Sequence, residues 1–274
     1  MSASNNDSRP IGVFDSGIGG LTVVSALRRA LPNESIYYLG DTARVPYGGK
    51  SPTTVQRYSL EIASLLLGEN AKTIVVACNT ASAVALSALE QTLPITVTGV
   101  IAPGAKAAVT ATRNGHIGVI GTRATIKSRA YEHALRRLNP DVQVAARACP
   151  MLVPLIEEGW LTSEITDKVL MQYLQPLLDD GVDTLVLGCT HYPLLRPAIQ
   201  RLIGDSVALV DSAANCAIAV RDSLRVEGLA APKDSSGTLQ VALTDPPDAF
   251  LEIAHQALKL EIGKVEVREV APVH

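Results

Sequence analysis

The octapeptide TIVVACNT (Thr73 to Thr80) can be laid over TLVLGCTH (Thr184 to His191) without a gap. In both, an apolar run ends at a cysteine and small polar residues follow. Two further matches fall in the same order at nearly the same offset. IGVFDS (Ile11 to Ser16) pairs with IGVIGT (Ile117 to Thr122), and Val45-Pro46 pairs with Val153-Pro154. Any two α/β halves share strands of the IGV type, so one strand match decides little. The ordered set points to two copies of one α/β unit.

The chain between these landmarks alternates strand and helix. IGVF, SIYYL (Ser35 to Leu39), TIVVA, HIGVI (His116 to Ile120), DTLVLG (Asp183 to Gly188) and VALV (Val207 to Val210) read as strands. They are continuous apolar runs, the mark of strands buried on both faces. Leu21, Val24, Leu27 and Leu31 share one helical face after the first strand. Ser51-Pro52 forms an N-cap and first helical residue for a helix running towards Gly68. Asn79 or Thr80 is expected to cap the helix after the third strand. This rhythm gives mainly parallel sheets wrapped by helices. Ligands of open α/β sheets sit beyond the carboxyl ends of the strands. Cys78 and Cys189 each hold that station, so packing the halves face to face brings both thiols to one cleft.

Composition removes several classes of function. The 274 residues carry a net charge of −3 and only 4% aromatics. Neither a basic stripe nor a set of stacking platforms for nucleic acid is evident. No apolar run approaches the roughly 18 residues that span a bilayer. The polar opening MSASNNDSRP lacks the apolar core of a signal peptide and reads as a disordered lead-in, so a cytoplasmic address is expected. The four cysteines, Cys78, Cys149, Cys189 and Cys216, form no CxxC pair and are expected to be free thiols. Beyond the weak pair Cys189 and His191, metal-ligand spacing is absent, and no metal is expected.

Two opposed thiols suit one reaction in particular. Inverting a carbon with an acidic hydrogen needs a base on one face and an acid on the other. A thiol, with a reference pKa of about 8.5, can take either part. One cysteine must be thiolate and its mate thiol, and turnover exchanges them. A helix start just after each cysteine would favour thiolate. Asp15 and His191 stand where they can move or tune protons; without the repeat, a helix cap and a hydrogen-bonded loop histidine would be the preferred readings. Ser16, Asn79, Thr80, Thr122 and Thr190 offer hydroxyls or an amide for carboxylates, and capping is compatible with that use.

The stretches GVFDSGIGGLTV, DTARVPYGGKS, VVACNTASA and LGCTHYPLL, in this order, closely resemble the motifs of bacterial glutamate racemases, within the cofactor-independent aspartate/glutamate racemases. The resemblance covers about Ile11 to Ser212. It implies two pseudo-symmetric three-layer α/β domains with the active site between them. Laid on this chain, they are 11–99 plus 208–274 and 100–207, after the lead-in 1–10. It implies cofactor-free interconversion of L- and D-glutamate, with Cys78 acting on the D-isomer and Cys189 on the L-isomer. Asp15 would assist the first, His191 and Glu157 the second, and Asp41 matches another recurrent acid. Substrate contacts carry over to Asp15-Ser16, Tyr47-Gly48, Asn79-Thr80 and Thr190-His191. The product would feed peptidoglycan synthesis, and a homodimer is among the expected assemblies. Periodicity and spacing leave glutamate and aspartate equal.

Rival readings fare worse. DSGIGG resembles phosphate-binding turns, but Thr22 stands where the last glycine of GxGxxG belongs; before GGKS, Arg44 stands where a P-loop has its first glycine. A thiol redox protein favours vicinal cysteines. A small-acid binding protein would leave two matched cysteines idle. A pyridoxal-phosphate racemase needs a Schiff-base lysine, and Lys50 reads as a surface-loop residue. Cys149, Cys216 and Trp160 read as packing residues.

Overall fold

The computed structural model describes residues 7–245 and 260–272. The chain builds two parallel sheets. The first contains β1 (Ile11–Asp15), β2 (Ile36–Gly40), β3 (Thr73–Val76) and β4 (Val97–Gly99). The second contains β5 (His116–Gly121), β6 (Gln143–Ala148), β7 (Thr184–Gly188) and β8 (Ala208–Asp211). The chain then returns to the first sheet with β9 (Leu239–Leu243) and β10 (Val265–Val267). The strand orders are β10-β9-β2-β1-β3-β4 and β6-β5-β7-β8.

Helices cover both faces of each sheet. In the first lobe these include α1 (Leu21–Ala30), α2 (Pro52–Gly68), α3 (Asn79–Val84) and α4 (Leu86–Thr92). In the second they include α5 (Ile101–Ala111), α6 (Arg123–Lys127), α7 (Ala130–Leu138), α8 (Leu152–Glu157), α9 (Glu164–Asp179) and α10 (Arg196–Ile203). Helix α11 (Ser212–Val226) packs on both α1 and α5. Strand residues alternate between cores. Val13 and Val75 point into the cluster shared with α1 and α11, whereas Phe14, Ile74 and Val76 point to the α2 side. Val119 and Val186 face α5 and α7, whereas Ile120, Leu185 and Leu187 face α9 and α10. Each such buried side chain contributes about 1.5–3 kcal/mol, which fixes strand register on both faces.

The sequence repeat reappears as equal register. Ile11 pairs with Thr73 across β1 and β3, and Ile117 pairs with Thr184 across β5 and β7. The matched cysteine segments therefore leave their sheets at equivalent points. The third sequence match has no such equivalence. Val45 and Pro46 are extended loop residues, whereas Val153 and Pro154 lie inside α8.

Three expectations need correction. First, β8 pairs with β7, so residues 208–211 belong to the second sheet and a boundary at 207/208 would cut that lobe. Second, residues 7–10 of the lead-in are fastened down: Lys72 Nζ donates to the Asp7 carbonyl at 2.6 Å and pairs with buried Glu34 at 2.6 Å, while Lys72 N donates to the Pro10 carbonyl. Residues 1–6, also assigned to the lead-in, lie outside the described residues. Third, Trp160 is 46% exposed, not packed. Among the described residues, no helix is long and apolar enough to cross a membrane.

Candidate active site

Cys78 follows β3 and is itself the N-cap of α3, with the Ala81 N–H 3.5 Å from its sulfur. Asn79 and Thr80, expected as caps, are instead the first helical residues. The Ser16 hydroxyl, just beyond β1, lies 3.7 Å from the same sulfur. Burial dominates the state of this thiol, and the neighbouring Asp15 charge acts in the same direction. The Ala81 N–H and Ser16 oppose them, yet Cys78 is pushed up to about 12. The start of α3 favours the thiolate as expected, through the Ala81 N–H, but one short helix does not offset full desolvation.

Cys189 leaves β7 differently. It is followed by a 3-10 turn over Tyr192–Leu195, and α10 begins only at Arg196. No helix start caps this sulfur; its neighbour is His191, with Nδ1 at 3.8 Å. The other ring nitrogen, Nε2, meets Glu157 Oε1 at 3.1 Å. Burial pulls the imidazole down, but its bonds to Cys189 and Glu157 and the charges of Cys189 and Asp15 outweigh that, raising it to about 10. At neutral pH, His191 is an imidazolium with both N–H groups directed at acceptors.

The lobes are laced together around these sulfurs. Thr22 Oγ1 donates to the Thr190 carbonyl at 3.0 Å, and Thr190 Oγ1 donates to Asp15 Oδ1 at 3.3 Å. The hydroxyls of Thr80 and Thr122 meet at 2.9 Å, and Thr125 joins both. Between the lobes lies a cavity of about 240 Å³. Ser16, Tyr47, Gly48, Cys78, Asn79 and Thr80 line it from the first lobe; Thr122, Glu157, Cys189, Thr190 and His191 line it from the second. Asp15 sits behind the wall, fully buried, with Gly17 N–H donating to it at 3.0 Å. Burial raises its pKa, against the pull of His191 and the donors around it.

Asp41 is also outside the cavity. It accepts from Arg44 Nε, the Tyr47 hydroxyl and Thr244 Oγ1, and so anchors the loop that presents Tyr47 and Gly48. A Cβ at Gly48 would stand 2.7 Å from the Thr122 Cβ, so only glycine lets this loop close on the opposite lobe. The sequence reading missed further lining residues, among them Arg123 and Cys149. Cys149 is buried, as expected of a packing residue, but it also faces the site. The Val-Pro match was the available signal for four others: Val45-Pro46 and Val153-Pro154 line the cavity, one pair from each lobe.

A wider comparison fits this geometry. The sequence profile of the Asp/Glu/Hydantoin racemases matches residues 11–220. The chain belongs to that racemase family. Among curated racemases, it is 53% identical to a glutamate racemase of Geobacter metallireducens over 257 residues, covering 94% of this chain and 95% of the relative. Among solved structures, a glutamate racemase isoform of Bacillus anthracis superposes with a TM-score of 0.92 at 41% identity, covering 97% of this chain and 99% of that one. The glutamate racemase of Francisella tularensis in complex with D-glutamate gives 0.90 at 36% identity, covering 96% and 98%. A racemase assignment gives the paired buried cysteines a use that a binding protein would not. It also answers the phosphate alternative: in DSGIGG, Gly19 and Gly20 make room for Thr190-His191 and Asp15 rather than for an anion.

Proposed function

We propose that this chain is a cofactor-independent glutamate racemase in which Cys78 and Cys189 share the acid and base roles. One observation carries the reading: two buried cysteines, reached from equivalent points of two sheets, line one cavity from different lobes. A thiolate takes the proton from Cα, and the thiol across the cavity returns one to the other face. No net proton is consumed, and the two sulfurs end with exchanged states.

The surroundings set the starting state. Cys78 is held protonated by burial and Asp15, while Cys189 has the imidazolium of His191 as its immediate neighbour. That resting form suits removal of the proton from the L-isomer by Cys189 and its return by Cys78. In the reverse direction, the ammonium of a substrate bound beside Cys78 offsets the Asp15 charge that opposes ionisation of that thiol. Ser16, Asn79, Thr80, Thr122, Thr190 and the Tyr47-Gly48 loop hold the two carboxylates by hydrogen bonds. The relatives' names favour glutamate over aspartate.

We further propose a cytoplasmic location, a role in supplying D-glutamate to peptidoglycan, a homodimer, and a first domain formed by residues 11–99 together with the chain after β8. The deciding experiment follows optical rotation of L-glutamate and L-aspartate, side by side, with metal-free and pyridoxal-free protein. Rotation of glutamate should decay to zero. No change with folded protein overturns the reading, and faster loss with aspartate reassigns the substrate.

A further inference from the structure

Asn79 is 2% exposed and lines the cavity from the first residue of α3. Its two amide atoms are in unequal positions. Oδ1 accepts a hydrogen bond from the Tyr131 hydroxyl at 2.7 Å. Nδ2 is buried with no hydrogen-bond partner; among the described residues, no other such side-chain atom belongs to a residue lining the cavity. The threonine hydroxyls nearby satisfy one another and do not reach it. Native proteins rarely leave a buried donor idle unless a ligand takes it.

Tyr131 belongs to the other lobe. It sits on α7, 3% exposed, and packs with Ile117, Val119 and Val186 against α5. Gly104 and Ser212 adjoin its hydroxyl, and a Cβ at Gly104 would stand 3.4 Å from that oxygen and 3.3 Å from Ser212 Cβ. The phenol therefore approaches Asn79 from a fixed direction. An amide flipped by half a turn would bring its carbonyl oxygen to the cavity and repel a carboxylate there.

We infer that Tyr131 is a positioning residue for the reaction: from the second lobe it fixes the Asn79 amide so that Nδ2 donates to a carboxylate of the bound amino acid. This rests on the racemase reading above. It makes substrate affinity depend on a bond that exists only when the two lobes are closed on each other. Tyr131 touches neither the substrate nor the sulfurs, so its effect falls on KM more than on kcat.

The test is Tyr131→Phe in the full-length enzyme, with L- and D-glutamate as probes. KM should rise about tenfold for both isomers, as for loss of one hydrogen bond to a charged group, with kcat changed by less than about threefold. In an Asn79→Ala background the same change should add nothing to KM, because its target is gone. A purely structural role would lower the melting temperature and leave KM alone. An unchanged KM in Tyr131→Phe, or the full tenfold loss repeated on top of Asn79→Ala, overturns the inference. If Tyr131→Phe loses its native near-ultraviolet spectrum, Ser212→Ala serves instead. It frees the phenol to turn and should raise KM about threefold; an unchanged value overturns the inference equally. Wild-type turnover of glutamate is measured first, so that failure of the racemase reading is seen separately.

Discussion

Gly19 lies against His191 across the lobe boundary: a Cβ added to Gly19 would stand 2.7 Å from the imidazole Cε1 and closer still to Nδ1. The glycine belongs to the turn after β1, and the histidine follows Cys189. Gly19→Ala must therefore push His191 off the line between Cys189 and Glu157. We expect kcat to fall about a hundredfold, the scale of a 1 Å misplacement. Overpacking should also cost about 1–3 kcal/mol of stability. Steady-state kinetics and thermal melts check both, and a fully active Gly19→Ala would show that His191 has slack.

Removing either cavity sulfur should stop inversion. Cys78→Ala and Cys189→Ala are each expected to lose at least about 10³-fold in kcat, within the range for a positioned acid or base. Cys149→Ala should keep most activity, because Cys149 lines the cavity beside the pair without a partner role. In D₂O the inverted product should carry deuterium at Cα, read by mass spectrometry.

The pH dependence has a definite sign. His191 is raised to about 10 from an unfolded value near 6.5, so the folded protein holds its proton through the neutral range. Its contribution to stability is complete below about 6.5 and fades as pH rises towards 10. The rate with L-glutamate should fall over that upper limb as the imidazolium beside Cys189 is lost. His191→Asn should be slow throughout and should lack the limb; a pH–rate series for both proteins tests this.

A second carboxylate offers a control away from the cavity. Asp183 opens the approach to β7 and accepts from Thr112 Oγ1 at 2.6 Å, Arg113 N at 2.7 Å, Asn114 N at 2.8 Å and Thr184 Oγ1 at 2.9 Å. Burial works against its ionisation, but these donors prevail and lower it to about 2. Its stabilisation is thus present above the unfolded value near 4 and is lost as pH falls towards 2. Asp183→Asn should lower stability by about 1–3 kcal/mol at neutral pH and leave kcat unchanged.

Elements buried on both faces were legible from residues alone. β1, β3, β5 and β7 are built on apolar runs rich in Ile, Val and Leu, and each lies within about a residue of where its run predicts. β6 went unread because QVAARA is an edge strand with partly exposed residues, so its pattern carries no alternation. β9 went unread because the C-terminal segment holds no motif, and its pairing with β2 is set by tertiary contact. In the site, residues at strand ends were found readily. Residues such as Arg123 and Tyr131 were not, because their place depends on how the second lobe turns towards the first.

The shared register of the two sheets reaches beyond packing. Side chains alternate sides along a strand, so a slip of one residue in β3 or β7 would swing its cysteine to the far face. The same slip would drive each row of core side chains into the opposite core, which is packed for other shapes, and that makes it far costlier than the loss of one sulfur. Reactive chirality in this protein is therefore insured by its greasy interior: sequence drift that spares the core cannot easily turn a two-faced catalyst into a one-faced one.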